Sequence, residues 1–200
     1  MASADPALRP GPSPEAYLAA ERTSETKHEL WSGEVFAMAG ASYAHNKIVT
    51  NLAREFSARL RDRRCDVLPS DMKVFVPTKS GFVYPDLSIV CGEPRFHGDE
   101  RDVLLNPILI VEVLSDTTER FDRGDKFAGY RAIESVRQVL LVSQDQRRVE
   151  VFTRAGPRWM LDDFTGSDIA RLEAVACDLP LDEVYLKVLP DSSEPPPTAP

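Results

Sequence analysis

Apolar side chains recur at every fourth residue through the segment that begins at Tyr43: Ile48, Leu52, Phe56 and Leu60. That interval keeps them on one side of a helix, so the pattern predicts an amphipathic helix over about 43–61. A shorter helix is expected at SPEAYLAAE, with Ser13 as N-cap and Pro14 in the first turn. Apolar runs bounded by turn residues predict strands. HELWSGEVFAMAG reads as two strands about a Ser32-Gly33 turn, and single strands are expected over about 66–77, 83–91 and 107–114. A helix over about 121–133 follows. QVLLVSQDQRRVEVFTRAGPRWMLDDF then reads as a three-stranded meander turning near Asp145 and Gly156. This order of helix, strands, helix, strands predicts an α+β domain, a central mixed β-sheet flanked by α-helices on at least one face.

Composition narrows the class. The 200 residues suit a single domain, placed over 13–189, with Pro-rich tails at 1–12 and 190–200 expected to be disordered. No apolar run has the length of a membrane-spanning helix, and MASADPALRPGPSP has no basic region followed by an apolar one. The expectation is a cytoplasmic protein with no membrane partner. Cys65, Cys91 and Cys177 are far apart and form no CxxC, which suggests neither a disulfide framework nor a zinc site. The net charge of −8 counts mildly against non-specific binding of nucleic acid. An arginine cluster (Arg54, Arg59, Arg61, Arg63, Arg64) at the end of the long helix offers either a local phosphate grip or a solvated face.

Two acids stand out against their surroundings. Glu112 interrupts ILIVEVL, a run with too little polar alternation for a strand wet on one face. Asp86 follows Pro85 and enters the apolar run Leu87 to Val90, which places it near a sheet end. An ionised carboxylate costs several kcal/mol to bury unless it is paired or metal-bound. Each acid alone fits a salt bridge or a cap equally well. Together on neighbouring strand ends they fit an oxygen-ligated Mg²⁺ or Mn²⁺ site. In RFDRGDKFAGYR, Asp122, Lys126 and Tyr130 are spaced by four on one helix face. That is either a surface ion pair or a lysine facing the two acids.

Pro85-Asp86 followed by Glu112 on an aliphatic strand resembles the signature of the PD-(D/E)XK nuclease superfamily. More specifically, HELWSGEVFAMAGAS, HNKIVTNLA, SDMKVFV, YPDLSIVCG, NPILIVEVLSDTTERFDRGDKFAGYR and LLVSQDQRRVEVF resemble, in order, the Uma-two family of restriction-endonuclease-like proteins. The resemblance implies a restriction endonuclease-like core and a Mg²⁺-dependent endonuclease acting on DNA, with Mn²⁺ as a substitute. It assigns Asp86, Glu112 and Lys126 as catalytic, and Asp86, Glu112 and the Val113 carbonyl as metal ligands. The superfamily lysine stands two residues after the acid; here that position is Leu114, and the family pattern moves the lysine to Lys126. Asp71, His45, Asn46, Glu34 and Asp122 are candidates for a supporting role; Glu34 and, similarly, Glu29 each read as a further acid near the metal or, more simply, as a solvated hairpin charge. Asp71-Met72-Lys73 spells D-x-K but precedes Pro85-Asp86, the wrong order, so Lys73 is expected to be structural or substrate-facing. A homodimer is compatible with double-strand cutting. The alternatives are a catalytically inactive nuclease fold that binds nucleic acid or protein, and a hydrolase of small phosphorylated molecules.

Overall fold

The computed structural model describes residues 11–115 and 118–188. The expected disorder of 1–12 and 190–200 therefore lies outside the described residues, Gly11 and Pro12 apart. Helix α1 (Pro14–Glu21) starts where its cap predicts, the Ser13 hydroxyl accepting the Ala16 N–H at 3.2 Å. Strands β1 (His28–Trp31) and β2 (Glu34–Ala37) form a hairpin. Its two turn residues, Ser32 and Gly33, both have positive φ (52° and 85°), as a tight hairpin turn of matching twist requires. Helix α2 (Tyr43–Leu60) is capped by Ser42, and its predicted stripe of Ile48, Leu52, Phe56 and Leu60 is buried.

The single strand expected over 66–77 is two strands, β3 (Cys65–Pro69) and β4 (Lys73–Val76), in different sheets. The turn at Ser70–Met72 carries the chain from one sheet to the other. The strand expected over 83–91 likewise divides, into β5 (Gly81–Val83) and β6 (Leu87–Cys91). Pro85 has no N–H to give a ladder, so the break falls at Tyr84–Asp86. Asp86 is thus left at a crossing between sheets.

After the short β7 (Val103–Leu104), β8 (Leu109–Val113) is buried along its whole length. A helical segment follows as α3 (Glu119–Phe121), a π turn (Asp122–Lys126) and α4 (Phe127–Ala132). The predicted meander is β9 (Gln138–Val142), β10 (Arg148–Ala155) and β11 (Arg158–Thr165). A β12–β13 pair (Ile169–Leu172, Cys177–Pro180) and α5 (Leu181–Val184), which the apolar pattern did not disclose, complete the described chain.

Beside the two-stranded β12–β13 sheet, two larger sheets result, in the strand orders β2-β1-β5-β4-β7 and β11-β10-β9-β8-β6-β3. In the larger, β8 pairs antiparallel with β6 and parallel with β9, which makes the central sheet mixed. Alternate residues of β8 point to opposite faces. Leu109, Val111 and Val113 pack with α2 and α5, whereas Ile110 packs with Trp31, Val76, Val83 and Tyr130 from the smaller sheet and α4. The flanking layers are therefore a helix on one face and a second sheet with a helix on the other, one layer more than the sequence pattern showed.

The cysteine reading is corrected. Cys65 and Cys91 form a disulfide. They are 26 residues apart in sequence, but the antiparallel β3–β6 register sets them directly opposite one another. No helix among the described residues is long and apolar enough to cross a membrane.

Candidate active site

The β6–β8 register pairs Leu87 with Val111 and Ser88 with Ile110, so its continuation brings Asp86 level with Glu112. Asp86 enters from the sheet crossing. Its Oδ2 accepts two donors, the Val113 N–H at 2.7 Å and His45 Nε2 at 3.2 Å. His45 arrives from the first turn of α2. Burial disfavours its charged form, but Asp86, joined by Asp122 and a bond to the Val113 backbone, outweighs this and raises the imidazole above its ordinary value.

Glu112 shares the face of β8 that carries Ile110, turned toward α4, and is 4% exposed. Tyr130 donates its hydroxyl to Glu112 Oε1 at 2.5 Å, and Lys126 Nζ lies 3.3 Å from the same oxygen. Lys126 is also 3.0 Å from Glu29 and 3.5 Å from Asp122. The π turn contributes to this. Asp122 and Lys126, both buried, lie within it, ahead of Tyr130 in α4.

Electrostatics follow from burial and charge count. Burial pushes the Glu112 carboxyl well above its usual range; Lys126 opposes this, while Asp122 and Asp86 add to it. Asp122 is raised too, chiefly by burial. Burial disfavours the Lys126 ammonium, but Glu112, Glu29 and Asp122 together outweigh it, so the lysine is raised and stays charged. Four carboxyl groups, Glu29, Asp86, Glu112 and Asp122, therefore gather about one ammonium and one imidazole. The donors facing the cluster are hard oxygens, and their charge exceeds what Lys126 can neutralise. That combination suits a hard divalent cation. Among the described residues, however, no three His, Cys, Asp or Glu side chains stand as a ready group of metal ligands.

The other sequence candidates separate clearly. Asp122 joins the cluster through Lys126. Asp71 does not: it lies in the turn before β4, exposed and paired with Lys27. Lys73 is buried against Asp102 at 3.1 Å, a structural pair. The D-x-K spelling thus straddles a turn. Asn46 bonds back to the carbonyls of Ala41 and Ser42 and serves its own helix start. Glu34 is exposed on the edge strand β2. Glu29 carried the same two readings as Glu34, and the solvated one does not hold: it is buried and touches Lys126. Sequence reasoning placed Tyr130 on the Lys126 helix face but gave it no role in the site, and it left Glu29 undecided. The available signal for Tyr130 was its spacing, four residues after Lys126 on one helix face; alternation gave none for Glu29, since the hairpin register sets it on the same face as exposed Glu34. The arginine cluster is a paired surface: Arg54 and Arg59 bind Glu55, Arg54 also binds Glu183, and Arg63 donates to the Val175 and Ala176 carbonyls. It lies at the opposite end of α2 from His45, about 20 Å away at a helical rise of 1.5 Å per residue.

Sheet order, flanking layers and the acid pair at the sheet crossing define a restriction endonuclease-like fold. A solved structure described as a putative nuclease belonging to DUF820, from Anabaena variabilis ATCC 29413, shares it with a TM-score of 0.72. The match covers 89% of this chain and 99% of that one at 13% identity. The chain belongs to the Uma2 family, described as "Putative restriction endonuclease", whose model matches residues 14–182. Among its relatives are two uncharacterized proteins of Synechocystis sp. (strain ATCC 27184 / PCC 6803 / Kazusa). Protein sll1609 is 35% identical over 76% of this chain and 86% of its own length. Protein slr1290 is 31% identical over 86% and 90%.

Proposed function

We propose that this protein is a divalent-metal-dependent endonuclease that hydrolyses DNA phosphodiester bonds. The observation that carries the reading is the convergence of Asp86, Glu112 and Lys126 at one buried, over-negative point between two sheets. Asp86, Glu112 and the Val113 carbonyl would hold Mg²⁺ or Mn²⁺. Two carboxylates suffice for Mg²⁺, which keeps several of its waters. When bound, such an ion lowers the pKa of a coordinated water and polarises a phosphoryl oxygen. The chain's own residues do the rest. The Val113 N–H and His45 fix the rotamer of Asp86 by holding one of its two oxygens. Tyr130 and Lys126 fix Glu112. Lys126, charged at every working pH, contributes as a positive charge facing the phosphate and not as a base.

The test is cleavage of supercoiled and linear DNA by the full chain with Mg²⁺ or Mn²⁺, against Glu112→Gln. Cleavage by wild type and its loss in the folded variant are expected. Cleavage that survives in Glu112→Gln overturns the assignment. One observation favours a second reading, a nuclease fold that binds without cutting: Lys126 is already enclosed by Glu29, Glu112 and Asp122. That reading gives DNA or protein binding with no cleavage under any divalent metal. Native mass measurement with and without DNA would show whether the working unit is a homodimer.

A further inference from the structure

Glu29 joins two elements through a single oxygen. Its Oε1 accepts the Tyr84 N–H at 2.9 Å and lies 3.0 Å from Lys126 Nζ. Tyr84 stands two residues before Asp86, at the crossing between the sheets. One carboxylate on β1 therefore fastens both the approach to Asp86 and the lysine that faces Glu112. Its side chain is 9% exposed, a burial sustained only because these two donors satisfy it.

The distances also rank the partners of the lysine. Nζ is nearer to Glu29 than to Glu112 at 3.3 Å or Asp122 at 3.5 Å. Without a carboxylate at position 29, Coulomb attraction would draw the ammonium onto Glu112 and cancel the charge there. With the carboxylate in place, the ammonium is shared among three acids.

Building on the nuclease reading above, we propose that Glu29 is a positioning residue of this site. It holds Lys126 back from full pairing with Glu112, leaving that carboxylate for a divalent cation, and pins the main chain that presents Asp86. It touches neither substrate nor cation.

Glu29→Gln separates charge from shape, because its amide oxygen still accepts the Tyr84 N–H. Mn²⁺ affinity of the full chain, measured by isothermal titration, is expected to fall about tenfold, in the range for loss of a group that supports metal ligands. Glu29→Asp, which keeps the charge, should recover part of that loss and serves as the primary variant if Glu29→Gln does not fold. In a Lys126→Gln background the Glu29→Gln effect should vanish, since Glu29 acts through the lysine. Persistence of the loss in that background would make Glu29 a ligand itself and overturn the positioning role. Wild-type affinity retained in folded Glu29→Gln overturns this role alone. Wild-type protein that binds no Mn²⁺ overturns the nuclease reading and this role together.

Discussion

Glu112 carries opposing demands. Its strand is covered on both faces, and burial raises its carboxyl well above the ordinary range, with Asp122 and Asp86 pushing the same way and Lys126 against. The sign of the consequence is fixed. A group whose folded pKa exceeds its unfolded one contributes stability below the unfolded pKa, and that contribution is lost as pH rises through the folded value. Without divalent metal, stability should therefore decline from mildly acidic toward neutral pH. Glu112→Gln removes the buried charge while Tyr130 retains an oxygen to donate to and Lys126 retains Glu29 and Asp122. We expect the variant to be stabilised by ~1 kcal/mol at neutral pH, about 2–4 °C in Tm for a chain of this size, and to lose the pH-dependent decline. Thermal melts from pH 5 to 8 in chelator measure both. A lower Tm for Glu112→Gln across that range would show that the Lys126 pair stabilises the fold more than burial destabilises it.

At the level of elements, the smaller sheet is tied to α1 by one acid. Asp102 accepts two bonds from Arg22, both at 3.0 Å, and pairs with buried Lys73 of β4 at 3.1 Å. The Arg22 hydrogen bonds and then Lys73 pull its carboxyl down to about 2. A depressed carboxyl contributes stability above its unfolded pKa and loses it as pH falls through the folded one. Asp102→Asn should thus cost ~2 kcal/mol from neutral pH down to about 4. Urea melts should show the gap to wild type closing between pH 4 and 2; a gap unchanged at pH 2 would deny the pair its role. Elements of this kind were unequally legible in the sequence. The α2 stripe and the β1–β2 turn were plain because periodicity and turn chemistry are local. The divisions at Ser70–Met72 and Tyr84–Asp86 were not, because an apolar run does not say which sheet receives it. The site shows the same limit. Asp86 and Glu112 were visible as acids in apolar runs, and Lys126 through its helix spacing and the family resemblance. The parts of Glu29 and Tyr130 became legible only from the sheet pairing that sets β1 and β8 against α4 and brings Glu29 to Lys126 and Tyr130 to Glu112. Asp71, a supporting candidate, falls instead in the turn where the strand expected over 66–77 divides into β3 and β4.

Across the whole molecule, stability and site chemistry are anchored at different ends of the same strand. Cys91 closes β6 at the end remote from Asp86, five residues or about 16 Å along an extended strand. The Cys65–Cys91 bridge there fastens the edge strand β3. Closing a loop of that sequence separation, 26 residues, restricts the unfolded chain by up to ~3.5 kcal/mol. The native state should lose little directly on reduction, since β3 is held to β6 by a ladder over all five of its residues besides the bridge. Reduction, or the Cys65→Ser/Cys91→Ser double substitution, should therefore lower Tm by about 6–12 °C. Mn²⁺ affinity should stay within about twofold, because neither sulfur borders the carboxylates and the β6–β8 register that aligns Asp86 with Glu112 does not depend on β3. Melting and isothermal titration of the same samples, with and without reductant, decide the matter. A fall in Mn²⁺ affinity on reduction would mean that β3 transmits strain through β6 to Asp86, and the site would then be coupled to the redox state of the sheet edge.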